Sequence, residues 1–172
     1  PPIEIPDREA LGMATHLDAA KGAYIIKEYD MNRPKEGLVI VRGTSSTNSL
    51  VEILPKLKLK GPNVKVVAAI SWELFQQQTE GYRQSTISNQ EWMDAMVITN
   101  GAKRLMHKWI ANRVVEEYSM SPDFDNRWRS GGSLDEIIAE SKLDSESVWE
   151  GINQFARSRK QRLASIQESI PE

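Results

Sequence analysis

VKVVAAISWELFQQQTEGY, Val64 to Tyr82, is the stretch whose reading decides the fold. An apolar run of strand length, Val64 to Ile70, opens directly onto Ser71-Trp72-Glu73-Leu74-Phe75, and Gly81 breaks the polar segment after it. A strand buried on both faces reads as such a run. The residues after it therefore sit at the strand's carboxyl end, where open α/β sheets hold their functional loops.

Working outward toward the N-terminus, Leu38 to Val41 is a second buried strand, and Gly43 to Asn48 is a strand-to-helix turn rich in hydroxyls. The helix after it carries Leu50, Ile53, Leu54 and Leu57, the spacing of one buried face. Pro55 removes a backbone donor and predicts a kink or an early stop. Gly61-Pro62-Asn63 ends the unit, which makes Leu38–Val41 and Val64–Ile70 parallel strands joined by a right-handed crossover. Ala23 to Tyr29 is strand-like, and the turn signals Asn32 to Gly37 end it. The connection to Leu38 is too short for a parallel crossover, so the first strand is antiparallel if the two pair, at or near an edge.

Toward the C-terminus, Ala95–Thr99 reads as a fourth strand closed by Asn100-Gly101, followed by a helix with Leu105, Trp109 and Ile110. Val114–Ser119 reads as a fifth strand ending at Pro122, and Asp123 to Gly132 as an exposed loop. Ser133 and Glu136 form a capping box for a helix that buries Ile137 and Ile138. A last helix begins at Asp144 or Ser145 and buries Val148, Trp149, Ile152, Phe155, Ala156, Leu163 and Ile166. At the other end, Pro1-Pro2-Ile3-Glu4-Ile5-Pro6 reads as an extended arm, and Asp7 caps a short helix from Arg8 to His16. Residues 1–20 are thus an arm or interdomain linker, and residues 21–172 a domain.

Composition limits the function. The 172 residues, 40% hydrophobic and 27% charged with five tryptophans, describe a soluble globular chain. A formal charge of −2 argues against general affinity for nucleic acid or acidic membranes. The absence of cysteine removes disulfides, thiolate catalysis and cysteine-ligated zinc, and fits a reducing, cytoplasmic setting. No apolar run approaches the ~20 residues of a membrane span, and no signal-peptide pattern is visible.

Each candidate for chemistry has a plainer reading beside it. The turn Gly43, Thr44, Ser45, Ser46 and Asn48 could cradle an anion on helix amides, but it lacks phosphate-loop spacing, and ordinary N-capping explains it as well. His16 and His107 are the only imidazoles; His107 sits among Arg104, Met106 and Lys108 with no patterned carboxylate partner. Two distant histidines and scattered carboxylates make no metal site. Glu73 could meet a ligand or partner, or simply charge the first turn of a helix after Ser71. The basic cluster Arg157, Arg159, Lys160 and Arg162 suits the end of a solvated helix. No Gly-x-Ser-x-Gly elbow is present, and no catalytic constellation emerges.

Three stretches carry a family resemblance: Lys21–Tyr29; Leu38–Ser46 with its small-residue turn; and Val66-Val67 through Ser71–Phe75 with Gln78 and Tyr82-Arg83-Gln84-Ser85. In this order they resemble the C-terminal domain of transketolase, well over Lys21–Ser85 and loosely beyond. After Gly101 the family's Gly-Trp and Gly-x-Ser-x-Pro pattern is replaced by Asp125-Asn126-Arg127-Trp128-Arg129-Ser130-Gly131-Gly132. The resemblance implies a three-layer α/β/α sandwich on a five-stranded mixed sheet whose first strand is antiparallel. It also implies that thiamine diphosphate and magnesium belong to the other domains of a dimeric parent enzyme, and that this chain contributes packing and contacts, with no catalytic or cofactor residue of its own. The equivalent domain of a 2-oxo-acid dehydrogenase E1 component, or a free-standing ligand-binding module using the Gly43–Asn48 turn, are the alternatives. The expected contact surface joins Trp72, Glu73 and Phe75 with Phe124, Trp128 and Arg129, two segments that follow buried strands and carry the aromatic and arginine residues that anchor interfaces.

Overall fold

The computed structural model describes residues 5–127, 129 and 131–169. Its sheet has the order β1-β3-β2-β4, formed by β1 (Ala23–Lys27), β2 (Leu38–Arg42), β3 (Lys65–Ala69) and β4 (Ala95–Thr99). β2 pairs in parallel with both β3 and β4, and β1 runs antiparallel at the edge beside β3, not beside β2. The short β1–β2 connection therefore passes the start of β3, where Asn63 holds it. Asn63 Nδ2 donates to the carbonyls of Asp30 (2.9 Å), Arg33 (3.0 Å) and Pro34 (3.1 Å).

Alternation along the strands sends side chains into two cores. On one face Val39, Val41, Val66, Ala68, Met96 and Ile98 meet α1 (Thr44–Lys60) and α7 (Ser145–Arg157). On the other, Leu38, Ile40, Val67, Ala95 and Val97 meet Phe75, Ile87, Met106 and Trp109. These come from α2 (Trp72–Gln76), the segment between α3 (Glu80–Thr86) and α4 (Asn89–Met93), and the 3-10 turn Lys103–Met106 with the residues after it. β3 is buried along its whole length, as its apolar run requires.

The sequence suggests five strands, and the structure has four. Val114–Ser119 does not form a strand: Arg113–Glu116 is a single helical turn, α5, because the Asn112 side chain accepts from the Val115 amide at 3.0 Å and caps it. Only Val115 of that turn is buried. The outer edge of β4 is closed instead by Met120, which bridges Ile98 in parallel and exchanges hydrogen bonds with Val97 and Thr99. The helix expected after Gly101 is reduced to the 3-10 turn, with Trp109 buried and Leu105 exposed. Pro55 does not stop α1, which runs on to Lys60. The proline lies on the exposed face, where water can satisfy the carbonyl it leaves unpaired.

α6 (Leu134–Glu140) opens with the expected Ser133–Glu136 capping box. The last helix divides at Ser158 into α7 and α8 (Arg159–Glu168), with Leu163 exposed. α8 is fastened by ions: Arg162, fully buried, donates from Nε to Asp94 Oδ1 at 2.8 Å, and Arg159 Nε donates to Asp94 Oδ2 at 2.8 Å. The basic cluster read as a solvated helix end thus holds one buried structural arginine. Burial pushes the Arg162 guanidinium pKa down, against the charge of Asp94.

Candidate functional site

The carboxyl ends of the parallel strands gather most of the candidates read from the sequence. At the end of β2, Gly43 precedes α1 with a positive φ of 96°. A Cβ there would lie 1.7 Å from Asn100 Oδ1, so the Asn100 amide can seat against this turn only because residue 43 is glycine. Asn100 Nδ2 donates to Ser45 Oγ (3.1 Å), and Asn48 Nδ2 donates to Glu52 Oε1 (2.8 Å). Ser46 is buried, and its Oγ has no hydrogen-bond partner among the described residues. Gly43, Thr44 and Asn48 face a hollow of about 360 Å³ that Arg8 and Tyr24 also line. Arg8 reaches it from the N-terminal arm, donating to Tyr24 Oη at 3.3 Å and to the Ala14 carbonyl at 3.1 Å.

Magnesium prefers carboxylates and phosphate oxygens. The side chains of the Gly43–Asn48 turn are hydroxyls and a carboxamide, so its donor set does not suit a magnesium-bound diphosphate. Among the described residues no group of three or more histidines and carboxylates is placed to hold a metal ion. His107 Nδ1 lies 3.1 Å from the Arg104 carbonyl, and among the described residues no carboxylate pairs with the ring to orient it as an acid or base.

Past β3, the Ser71 hydroxyl caps α2 by accepting from the Leu74 amide at 3.3 Å. α2 then turns Trp72 and Phe75 inward. Trp72 meets Trp109 edge-on with ring centres 5.0 Å apart, Phe75 stacks on Trp109 at 5.8 Å, and Trp72 leans on Trp92 at 6.3 Å. Phe75, 4% exposed, is a core residue, and Trp72 is half-buried. Glu73 is exposed and accepts from Lys108 Nζ at 2.6 Å. That ammonium holds the Glu73 carboxyl below the usual carboxylate range. Beside this aromatic group Ile70 (45% exposed) and Leu105 (61% exposed) face outward, and Leu74 is exposed on α2. A hollow of about 220 Å³ lies among Arg42, Ile70, Trp72, Glu73, Leu105 and His107.

The Asp123–Arg129 loop forms a separate cluster. Exposed Phe124 lies under the Arg129 guanidinium at 5.2 Å and near the Lys142 ammonium at 5.1 Å. Arg129 turns inward, donating to Asp125 Oδ2 (3.1 Å), to the Glu140 carbonyl (3.3 Å) and to the Pro122 carbonyl, so it staples its own loop. Trp128 lies outside the described residues. The rings of Trp72 and Phe75 thus meet Trp92 and Trp109, whereas Phe124 meets Arg129 and Lys142. The turn at Lys103 links the two regions, its amide donating to Asp123 and Lys108 pairing with Glu73.

Arg8, Asn100, Leu105 and Trp109 hold places at this end that the sequence reading does not assign. Arg8 falls in a segment read as an arm, and Leu105 in a helix the chain does not form. Asn100 had one available signal, a carboxamide directly after a buried strand, where the ends of a parallel sheet converge.

Residues 22–121 match the family model described as the transketolase-like C-terminal domain, a span that holds all four strands and Met120. Among curated proteins, a transketolase from Nostoc sp. is 29% identical over 131 residues, covering 73% of this chain and 19% of its own length. A chloroplastic transketolase from Solanum tuberosum is 37% identical over 71 residues, covering 40% of this chain and 9% of its own length. The chain therefore spans about a fifth or less of these relatives. Among solved structures, a transketolase from Leishmania mexicana superposes with a TM-score of 0.61 at 18% identity, over 85% of this chain and 19% of that one. A Pichia stipitis transketolase gives 0.58 at 19% identity, over 86% and 20%.

Proposed function

This chain belongs to the family of transketolase-like C-terminal domains, and we propose that it is the non-catalytic structural and contact domain of a cytoplasmic, homodimeric transketolase-like enzyme. In this reading the parent transfers a two-carbon ketol unit between sugar phosphates, and its thiamine diphosphate and magnesium sit in the other domains. The helices on the two faces of the sheet complete a three-layer sandwich, and the sheet's carboxyl end meets the rest of the enzyme.

The observation that carries the proposal is the pair of outward-facing apolar side chains Ile70 and Leu105 beside half-buried Trp72, with Leu74 also exposed on α2. It lies where sheets of this class place their functional loops. Ile70 and Leu105, rimmed by Arg42 and the Glu73–Lys108 pair, have the composition of an interface core with a polar rim. A transketolase identity among the curated relatives supports the ketol-transfer reading over a 2-oxo-acid dehydrogenase one. No described helix is long and apolar enough to cross a membrane.

Truncating the parent before Gly22 tests this. The shortened enzyme is expected to retain calorimetric binding of thiamine diphosphate with magnesium while losing its assembled state in sedimentation. Saturable micromolar binding of that cofactor by the 172-residue chain alone would contradict the proposal.

A second reading, an anion-binding module, has the Arg8-lined hollow at Gly43, Thr44 and Asn48 in its favour. Thermal stabilisation of this chain by millimolar phosphate, abolished by Arg8→Gln, would support it; no stabilisation would remove it.

A further inference from the structure

The three short helices after β3 flank a half-open cavity of about 260 Å³ that shares only Trp72 with the contact surface. Its apolar walls are Trp72, Phe75, Ile87 and Trp92, and its polar side is set by Arg83 and Glu80, with Gln76, Gln84 and Asn89 around them. We propose that this cavity is a binding site for a small planar anion, an aromatic ring bearing a carboxylate, with Arg83 as the residue that receives the carboxylate.

The hydrogen bonding of the lining gives the sign of the ligand's charge. Arg83 Nη1 donates to the Gln76 side-chain oxygen at 2.9 Å and to the Gln76 carbonyl at 3.4 Å. Those two bonds fix the orientation of the guanidinium and leave Nε and Nη2 free, since Arg83 has no carboxylate partner among the described residues. The Gln84 carboxamide engages Asn89 twice, its Nε2 donating to Asn89 Oδ1 at 3.4 Å and its Oε1 accepting from the Asn89 backbone N–H at 3.3 Å. Each of those oxygens thereby has one of its two lone pairs engaged. Arg83 is the one cation on the lining, and its free edge points to an anionic group, with Gln76 Nε2 and Asn89 Nδ2 as further N–H donors. A guanidinium edge matches a carboxylate through two parallel bonds.

The walls give the shape. Two indoles tilted by 38° and the buried Phe75 and Ile87 present flat apolar surface, which favours an aromatic body. The volume lies just under the range of drug-sized pockets, so the ligand is compact, one ring or a fused pair. The site is also held in shape before any ligand arrives. Each helix is capped by a side chain, Ser71, Thr79 and Ser88, and Trp92 Nε1 is tied to the Trp109 carbonyl at 3.0 Å. Glu80, at the start of α3, is the one carboxylate on the lining and opposes an anionic ligand.

Titration of the ¹⁵N-labelled 172-residue chain with benzoate, followed at the indole N–H signals, tests the site. Saturable shifts are expected at the Trp72 and Trp92 signals, with benzamide, the uncharged counterpart, binding about tenfold or more weakly. Arg83→Gln is expected to weaken benzoate by a similar factor. Glu80→Gln is expected to tighten it by about two- to threefold, a gain that general damage to the fold would not produce. Shifts that do not saturate, benzamide binding as well as benzoate, or Glu80→Gln leaving affinity unchanged or lower would each overturn the proposal.

Discussion

The two ends of this sheet are built on opposite plans. At the amino end of the parallel strands, charge is buried and matched. Lys65 opens β3 almost fully buried, pairing with Glu91 at 3.3 Å and Glu28 at 3.7 Å and donating to the Ser85 carbonyl at 2.9 Å. Asp94, just before β4, is clasped by Arg159 and Arg162. At the carboxyl end, apolar side chains face outward, and Arg42 has no carboxylate partner among the described residues. Removing one partner of a buried pair is strongly unfavourable, whereas an exposed apolar residue contributes little to its own fold. The amino end therefore determines whether the chain folds, and the carboxyl end is free to do something else.

The sharpest way to break this contrast is Asp94→Ala. It strands the buried Arg162 beside Arg159 and is expected to cost about 3–5 kcal/mol, read from urea unfolding. A loss below about 1 kcal/mol would show that the clasp contributes nothing special. Lys65→Met keeps the volume while leaving the Ser85 carbonyl without its donor and Glu91 without this cation. A loss of about 1–3 kcal/mol is expected by the same measurement, and a gain in stability would mean the amino end is not held by its charges.

Tyr29 adds a pH test at that end. Its hydroxyl donates to the Gly37 carbonyl at 3.2 Å, and burial first, then the charges of Glu91, Asp94 and Glu28, raise its phenol pKa above the ordinary 10.0. The unfolded phenol ionises first, so the stability Tyr29 contributes is complete below pH 10 and falls as the pH rises from there toward the folded value. Tyr29→Phe should cost about 1 kcal/mol at neutral pH and flatten the stability profile above pH 10. An unchanged alkaline profile would count against this placement. The smallest effect is expected at the opposite end: Leu105→Ser should change stability by no more than about 0.5 kcal/mol in the same unfolding assay.

The sequence reveals the two regions unequally. β2 and β3 are legible because burial on both faces leaves a continuous apolar run, and the capping boxes because their spacing is local chemistry. The short connection correctly gives β1 its antiparallel sense, but pairing it with β2 misses that Asn63 draws the chain across the start of β3. Val114–Ser119 looks like a strand because Val114-Val115 is β-branched, yet a cap at Asn112 decides the backbone before any ladder can. Most of the site residues do gather at the carboxyl end, but their roles divide. Phe75 and Arg129 turn inward, while Leu74, Leu105 and Ile70 provide the outward face. Aromatic content alone cannot separate a core ring from an anchor, because both are large and apolar.

The division between the two ends is tested most directly in the full-length parent enzyme carrying Leu74→Asp with Leu105→Asp, by sedimentation velocity beside circular dichroism. A shift from the assembled species to smaller ones, with native secondary structure retained, is the expected result. Wild-type sedimentation with a native spectrum would contradict it, because the carboxyl end would then not be the contact face.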